Sequence, residues 1–407
     1  MKILFISYDG MTDPLGQSQV IPYLQGLKSK GHEVWLLSCE KPERFKNHKQ
    51  TIERLLHSSG ISWIPELYTS KPPVFSTLKD VRKLKKAAEL CCQENGIEVL
   101  HCRSYISALV GQSIKKKYGL PWIFDMRGFW ADERVDGGLW NLSNPLFKGI
   151  YKYFKRKEKE FLKDATYVIS LTENAKQEIH SWERFENVPI KVIPCCADLN
   201  LFERKSVNEQ VLDEKRRELN IPPDAFVISY LGSLGTWYML DEMLDFFSIL
   251  KESYPKAIFL FITGDSKESI ISKARAKGIN EDDLRIQSAQ RTEVPIYASL
   301  SNVSMFFIKP VFSKKASSPT KMGELMSLGI PLICNSGVGD VEAILMDGGN
   351  GVIISEFTNE AYKNASNALL EVLGKSPELN IVCANSYYSL ADGIEKYNSV
   401  YAILEAQ

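Results

Sequence analysis

The sequence predicts an α/β fold built from two doubly wound parallel-sheet domains. Three observations support this prediction. The chain has 407 residues, more than one hydrophobic core usually holds. Apolar, strand-like runs alternate with amphipathic helical patterns along nearly the whole chain, as in parallel sheets covered by helices. A proline-containing stretch at 187–203 interrupts the alternation and has the character of a domain connection.

The first half of the chain opens directly on a strand. MKILFISYDG has one basic residue and no small-residue cleavage site, so we interpret it as structure rather than as a signal peptide. An amphipathic helix (VIPYLQGLKSKG) and a second strand (EVWLLSC) follow. The alternation then continues with helices at 78–95 and 105–118 and with strands at VLHCR, 121–125 and 166–172.

A second series of strands and helices starts after the connection. Its predicted strands are FVISYLGS, AIFLFITGD, LRIQSA, VSMFFIKP and LICN, and its helices span 238–253, 266–277, 292–300 and 320–328. The pattern divides the chain into a domain at 1–190, a hinge at 191–205, a domain at 206–385 and a terminal helix at 386–407 that can pack back on the first domain. Both domains are expected to bind ligands beyond the carboxyl ends of their strands.

Charge is balanced overall but divided unevenly. Residues 1–190 hold 29 Lys and Arg against 22 Asp and Glu, so this half carries +7 and the remainder −7. The excess gathers in basic runs such as 115–117 and 152–163. These runs are either solvated helix faces or a weakly attractive surface for an anionic membrane or a phosphorylated substrate. No apolar run approaches the ~20 residues of a membrane span.

The eight cysteines show no metal-ligand spacing. They form two adjacent pairs and four single positions, mostly in apolar, strand-like surroundings. We therefore expect buried, reduced thiols in a cytosolic protein and no zinc site.

The loop after the first strand contains a glycine directly before a helix. The backbone of Gly16, with Gln17 beside it, can approach a ligand at the positive helix end, although a tight turn also explains a single glycine. The loop matches neither the P-loop nor the G-x-G-x-x-G pattern. A Walker ATPase and a dinucleotide dehydrogenase are therefore disfavoured.

The segment DMRGFWADER, after the strand at 121–125, is dense in polar, aromatic and glycine residues. Asp125 lies at the carboxyl end of the strand and Arg127 points the same way, which favours a ligand site, while a structural salt-bridge loop is the alternative. The preceding strand ends with His101 and Arg103, and a hydrogen-bonded structural histidine fits there as well as a functional one. The candidates in this region are His101, Arg103, Asp125, Arg127, Trp130, Asp132 and Glu133.

The segment SSPTKMGELMSLGIPLICN, at 317–335, contains the strongest helix-start signal of the second half. Ser318 is expected to cap a helix whose first position is Pro319. Lys321 opposes the helix dipole unless an anion is also present, and Glu324 lies three residues on, on the same face. The pattern indicates either a phosphate site at a helix N-terminus or a surface salt bridge between Lys321 and Glu324.

The linker VIPCCADLNLF resembles the IPNGVDxxxF hinge of family 4 glycosyltransferases, which have the GT-B fold. The glycine loop after the first strand, GSLGTWYMLDEML, the ITGD strand end and SSPTKMGELMSLGIPLI…GVGD are similar to the family in the same order. The resemblance implies two Rossmann-like domains facing a cleft, with the acceptor on the first and a sugar nucleotide on the second. It implies that Glu324 holds the ribose hydroxyls. The other residues it places near the donor are Gly16, Gln17, Gly232, Ser233, Ser318, Thr320 and Lys321.

Three departures from the family pattern change the expected site. Ala316 stands where the first glutamate of the Glu-x7-Glu motif would lie, residues 232–238 lack the Arg and Lys that stabilise the diphosphate, and Arg127 replaces a common histidine. The chain therefore resembles a subgroup with a D-x-R-x-x-W motif and an S-P-x-K turn. Negative charge that develops on the diphosphate must be stabilised, and the groups expected to do so are Lys321, the helix N-terminus and backbone N–H groups, with help from Arg127. The catalytic candidates are Asp125, Arg127 and Lys321.

The expected function is retaining, metal-independent transfer of a sugar from a nucleotide-diphosphate sugar, without a cofactor. The acceptor is expected to be a glycan or a lipid-linked molecule of cell-surface polysaccharide or glycolipid biosynthesis, bound near His101, Arg103, Trp130, Asp132 and Glu133. We expect a cytoplasmic protein in peripheral contact with the anionic inner face of the membrane, with no nucleic-acid partner. The alternatives are a sugar-nucleotide epimerase or hydrolase of the same fold and a non-catalytic GT-B partner subunit.

Overall fold

The structure is a computed structural model that describes residues 1–72, 74–348 and 350–406. The chain divides into two compact units. The first unit comprises Met1–Cys195 and the C-terminal stretch from Leu390, and the second comprises Cys196–Ser389. Each unit has its own parallel sheet, which confirms the predicted fold class. No helix of the described residues is long and apolar enough to cross a membrane.

Seven parallel strands form the sheet of the first unit, in the spatial order β3-β2-β1-β4-β5-β6-β7. The chain switches direction between β1 and β4, and parallel sheets bind ligands at such a switch point. Ser7 and Arg103 are paired at the carboxyl ends of these two strands, so the loops that follow them meet at one edge. The strands are Lys2–Ser7 (β1), Glu33–Glu40 (β2), Ser62–Leu67 (β3), Val99–Arg103 (β4), Trp122–Asp125 (β5), Tyr167–Ser170 (β6) and Ile190–Val192 (β7).

Helices cover this sheet where the amphipathic patterns predict them, with several additions. The predicted helix VIPYLQGLKSKG is preceded by a separate short helix, and Val20 joins the two. The edge strand β3 was not predicted because Pro65 interrupts its pattern, and proline is tolerated at a sheet edge. The helices are Pro14–Gln19 (α1), Ile21–Ser29 (α2), Pro42–Ser58 (α3), Phe75–Asn95 (α4), Ser104–Tyr118 (α5), Trp130–Asp136 (α6), Pro145–Asp164 (α7) and Glu173–His180 (α8).

The second unit has a six-stranded parallel sheet in the order β10-β9-β8-β11-β12-β13. Its central strands are fully buried, as expected for a sheet covered on both faces. The strands are Val227–Leu231 (β8), Ile258–Ile262 (β9), Leu284–Gln287 (β10), Val303–Phe306 (β11), Leu332–Asn335 (β12) and Gly351–Ile354 (β13). The helices are Glu209–Glu218 (α9), Leu240–Ser253 (α10), Lys267–Ala276 (α11), Val294–Ala298 (α12), Thr320–Ser327 (α13), Val341–Gly348 (α14), Asn359–Gly374 (α15) and Glu378–Tyr388 (α16).

The last helix, Leu390–Glu405 (α17), belongs to the first unit although it follows the second in the chain. It packs on α2 at Gly26, where a Cβ atom would come within 2.2 Å of the Ile394 side chain, so this contact requires a glycine. The predicted terminal helix at 386–407 is therefore two helices, which are separated at Ser389. All eight cysteines are free thiols, and six of them are buried.

Candidate active site

A cavity of about 320 Å³ lies at the carboxyl ends of β8 and β9 in the second unit, and we call it the α13 cavity. Residues 231–233 and 262–264, which are the last residue of each strand and the two residues after it, form part of its wall. Lys321 and Glu324 of α13 and Arg291 complete the charged part of the lining. The position agrees with the general rule for parallel sheets.

The helix α13 begins at Thr320, as the range 320–328 predicts, but its cap differs from the prediction. Pro319, and not Ser318, occupies the N-cap position, and Thr320 rather than Pro319 is the first helical residue. A short 3-10 helix, Phe312–Ala316, fixes the preceding chain. Lys321 and Glu324 line the α13 cavity, but neither Ser318 nor Thr320 is among its described lining residues.

Lys321 is buried in an aromatic setting. Its Nζ atom donates a hydrogen bond to the Tyr230 hydroxyl at 3.1 Å and lies 3.6 Å from the ring centroid of Tyr238. Gly232, at φ +100°, lets the chain pass close by, since a Cβ atom there would be 3.2 Å from Nζ. Among the described residues, no carboxylate lies within ion-pair distance of Nζ. Burial lowers the pKa of Lys321 to about 7, against the opposing effect of Glu324.

Glu324 is paired with Arg291 and not with Lys321. Arg291 Nη1 lies 2.7 Å from Glu324 Oε1, and the Glu324 side chain is buried. The guanidinium also stacks over Phe202, with 4.7 Å between its Cζ atom and the ring centroid. The surface salt bridge between Lys321 and Glu324 is therefore absent in the structure. Sequence reasoning missed Arg291, because no local pattern marks it.

Asp265 shapes the loop that borders Lys321. Its carboxylate accepts hydrogen bonds from the Ser233 hydroxyl (3.1 Å) and from the Leu234 backbone N–H (2.6 Å). The Thr263 hydroxyl also donates to it at 2.9 Å. Gly232 and Ser233, two of the predicted donor-site residues, thus line the cavity. The Ser233 hydroxyl, however, already donates a hydrogen bond to Asp265. The ITGD strand end was the available signal for this aspartate.

A buried polar cluster lies at the carboxyl edge of the first unit's sheet, around Asp125, and we call it the Asp125 cluster. His101 Nε2 lies 3.4 Å from Asp125 Oδ2, and the Tyr397 hydroxyl donates to the same oxygen at 3.1 Å. On the other side of the imidazole, the Tyr401 hydroxyl is 2.5 Å from His101 Nδ1. Arg127 Nη1 is 3.7 Å from Asp125 Oδ1. The two tyrosines come from α17 and were not predicted.

The charges of the Asp125 cluster compensate one another. Burial by itself would raise the pKa of Asp125, but the Arg127 guanidinium and the contact with His101 outweigh it and hold this pKa below its usual value. Burial lowers the pKa of His101, so the imidazole is neutral near pH 7. The resulting state is an ionised carboxylate beside a guanidinium and a neutral imidazole.

Arg127 and Arg103 are each fixed by contacts within the first unit. Arg127 adopts φ +58°, a left-handed conformation that is rare for arginine, and its Nη2 atom lies 3.2 Å from Cys195 Sγ. Arg103 forms an ion pair with Asp9, which follows β1. Conformations of this kind persist where the surroundings impose them, and they are frequent at functional sites.

Three predicted residues lie on α6, away from the Asp125 cluster. The Asp132 carboxylate binds Lys155 (2.7 Å) and the Tyr151 hydroxyl (2.8 Å) of α7, which is a structural arrangement. Trp130 packs against other aromatic rings, with its ring centroid 4.8 Å from that of Phe154. Glu133 is half-buried on the same helix.

Gly16 is required by its own loop. A Cβ atom there would lie 2.3 Å from the Gly10 carbonyl oxygen and 2.7 Å from Met11 Cα, so the tight-turn interpretation accounts for this glycine. Gln17 donates from Nε2 to the Thr12 carbonyl at 3.3 Å, which also stabilises the loop. The structure thus gives both residues a role in local folding.

Two sheets of this topology, each with charged residues at the carboxyl edge, define the GT-B class of two-domain α/β proteins. The structure is similar to sucrose-phosphate synthase from Thermosynechococcus elongatus, with a TM-score of 0.75 and 16% identity over 100% of this chain and 99% of that one. It is also similar to HepE from Anabaena in complex with UDP and glucose, with a TM-score of 0.68 and 14% identity over 99% of both chains.

Two family models match the sequence. Residues 19–201 match Glycosyltransferase Family 4, and residues 212–378 match Glycosyl transferases group 1. A D-inositol 3-phosphate glycosyltransferase from Thermomonospora curvata is 20% identical over 303 residues, which are 69% of this chain and 68% of the relative. The first domain thus matches the family 4 model and the second matches the group 1 model, and the chain is a glycosyltransferase of the GT-B fold.

Proposed function

We propose that this glycosyltransferase is retaining and metal-independent, and that it binds a nucleotide-diphosphate sugar in the α13 cavity. The observation that carries the proposal is Lys321, a buried amine that lines the cavity with no carboxylate within ion-pair distance among the described residues. A buried ammonium without a partner is costly, and it becomes favourable when an anion binds beside it. The diphosphate of a sugar nucleotide is an anion of this kind.

Glu324 is the proposed ribose ligand. Arg291 engages Oε1 and orients the carboxylate, while in the described part of the chain nothing is hydrogen-bonded to Oε2. A carboxylate oxygen of this kind can accept a hydrogen bond from a ribose hydroxyl. Lys321 and Glu324, three residues apart on one face of α13, would then have separate partners on the same nucleotide.

The chemistry needs positive charge at the leaving group. When the bond between the sugar and the diphosphate breaks, negative charge develops on the diphosphate, and preorganised cations stabilise it. We assign this role to protonated Lys321, since a bound diphosphate favours its charged form. In this proposal the cationic side chain supplies the charge that a metal ion would otherwise supply. Activity should therefore persist in EDTA, and NMR of the product should show retention at the anomeric carbon.

We assign acceptor binding to the first unit. Asp125, ionised and held by His101 and Arg127, is the candidate group for contact with the acceptor, with Arg103 beside it. Asp132 is not part of this assignment, because Lys155 and Tyr151 occupy its carboxylate. The basic surplus of residues 1–190 supports an anionic or membrane-bound acceptor of cell-surface polysaccharide or glycolipid synthesis.

The direct test is mass-spectrometric detection of sugar transfer. A thermal-shift screen with nucleotide sugars first identifies the donor, because a bound ligand raises the melting temperature by mass action. Transfer should then depend strictly on an acceptor and should be strongly reduced in Glu324→Ala. Intact transfer in Glu324→Ala contradicts the site. Conversion of the donor without acceptor indicates an epimerase or hydrolase, and binding without turnover indicates a non-catalytic subunit.

A further inference from the structure

The first unit contains a large cavity with a mainly apolar lining. Its volume is about 1110 Å³, slightly above the ~300–1,000 Å³ typical of small-molecule pockets. We call it the α4–α5–α7 groove after the three helices that supply most of its wall. Neither Asp125 nor the α13 cavity is part of it.

Each of the three helices presents an apolar stripe to the groove and ends that stripe with a lysine. The lining residues of α7 recur at helical spacing from Leu146 to Lys157, and those of α5 run from Ile106 to Lys116. On α4 the stripe ends at Lys85. Because the three helices connect parallel strands, they run in the same direction, and the three lysines gather at one end of the groove.

The opposite end of the groove lies near the carboxyl edge of the sheet and contains Arg134. This residue follows β5 on α6, and its Cζ atom lies 5.0 Å from the ring centroid of Trp130. No carboxylate of the described residues lies within ion-pair distance of Arg134. Its guanidinium is therefore available to an anion at the edge where parallel sheets bind ligands.

Three leucines on the walls of the groove are largely exposed to solvent. Leu78 is 51% exposed, Leu139 is 60% exposed and Leu146 is 58% exposed, all on its walls. Contiguous exposed apolar surface bordered by charge marks a binding site for an apolar partner. The guanidinium of Arg134, unpaired among the described residues, complements an anionic head group, and the length of the stripes suits an extended chain. At the other end, Lys85 and Lys157 already face Glu89 and Glu160.

We propose that the α4–α5–α7 groove binds the hydrocarbon chain of a long-chain lipid phosphate, with the phosphate on Arg134 at the carboxyl edge. The inference rests on the proposed function, since it names the acceptor class as a lipid phosphate whose head lies at the reactive edge of the first unit. The chain then extends between α4, α5 and α7 toward the lysine end.

The test measures binding of alkyl phosphates to the intact protein by calorimetry, below their micelle concentrations. Each added methylene should tighten binding about fourfold until the groove is filled, as for other buried hydrocarbon chains. Glycerol phosphate, which has the head without the chain, should not bind measurably. An alkyltrimethylammonium of equal chain length should bind more weakly than the phosphate. Equal binding of the cationic and anionic amphiphiles, or no dependence on chain length, would overturn the proposal.

Two substitutions locate the binding. Leu146→Asp places a charge on the groove wall, in the first turn of α7 where an acidic residue suits the helix, and should weaken dodecyl phosphate about tenfold or more. Gly149→Trp should do the same by filling space, since nothing lies within 4 Å of a Cβ atom there. The matched control is Leu370→Asp on α15, at a leucine that is 73% exposed in the second unit. An equal effect of the control would overturn the assignment.

The orientation of the lipid has its own comparison. Arg134→Ala should weaken alkyl phosphates but not alkyl alcohols of the same length, and Lys116→Ala should weaken neither. The reverse result would overturn the placement of the phosphate. Sedimentation of the free protein tests whether a second copy of the chain occupies the groove instead of a lipid. A dimer that Leu146→Asp breaks and that excludes the lipid would contradict the proposal. Lipid binding without any sugar transfer would leave the groove intact and refute the proposed function instead.

Discussion

The α13 cavity and the Asp125 cluster both gather buried charge at the carboxyl edge of a parallel sheet, but they balance it differently. In the Asp125 cluster a carboxylate, a guanidinium, an imidazole and two tyrosines lie together, and Arg127 of the protein itself is the counter-ion of the Asp125 carboxylate. In the α13 cavity, Lys321 has aromatic rings and a hydroxyl around it instead of a counter-ion. The charges of the Asp125 cluster are therefore balanced within the protein, whereas in the proposed function an anionic ligand balances the charge of Lys321.

The largest expected effect is on the free energy of unfolding. Removing one partner of a buried charge pair leaves the other uncompensated, so Asp125→Ala should lower the free energy of unfolding by about 3–5 kcal/mol. Lys321→Met, which replaces an unpaired buried amine with an apolar chain of similar length, should leave it unchanged or raise it at pH 6. Urea unfolding of both variants at pH 6 measures this. Destabilisation of similar size in both would show that the two sites do not differ.

The next effect is on catalysis. Lys321→Met should lower kcat/KM by about 10²–10³-fold, the usual cost of removing one stabiliser of transition-state charge. Lys309→Met, at an exposed lysine of the same unit, is the control and should retain full activity. Steady-state transfer assays with the identified donor make the measurement. Equal activity of Lys321→Met and Lys309→Met would remove Lys321 from the mechanism.

A smaller effect is expected on donor affinity at Glu324. Hydrogen bonds to charged groups contribute about 1.5–3 kcal/mol, so Glu324→Gln should weaken nucleotide-sugar binding by roughly 10–100-fold. The corresponding sugar 1-phosphate, which lacks the ribose, should bind equally well to both proteins. Calorimetric titrations of the two ligands separate these outcomes. A loss of affinity for the sugar 1-phosphate as well would place Glu324 elsewhere in the site.

The sequence predicted the strands and helices that carry both sites better than the contacts between the site residues. Most of the strands and α13 followed from apolar runs, periodicity and a glycine stop, which are local signals, whereas the edge strands β3, β7 and β13 were not predicted. The partners of the site residues are far apart in the chain: Tyr401 contacts His101 and Arg291 contacts Glu324, and no local pattern links them. Lys321 and Glu324 share a helix face, but they do not form an ion pair. Arg291 forms the ion pair with Glu324 instead.

The pH dependence sharpens the comparison further. The pKa of Lys321 in the folded protein is about 7, below the 10.5 of an exposed lysine. The unfolded chain therefore binds more protons than the folded protein between pH 7 and 10.5. The contribution of Lys321 to the free energy of unfolding of the ligand-free protein should rise with pH across this window. Donor binding has the opposite sign, because an anion favours the charged amine. Affinity should fall as pH rises above 7, by at most about tenfold per pH unit.

The most direct test is the number of protons taken up when the nucleotide sugar binds. The diphosphate diester has no proton to exchange near pH 8, whereas Lys321 with a pKa of about 7 is largely neutral there until the anion binds. Calorimetric titration at pH 8 in two buffers of different ionisation enthalpy should therefore show uptake of about one proton. The uptake should disappear in Lys321→Met. Binding without proton uptake, or uptake that persists in Lys321→Met, would contradict the claim that the α13 cavity holds the diphosphate against Lys321.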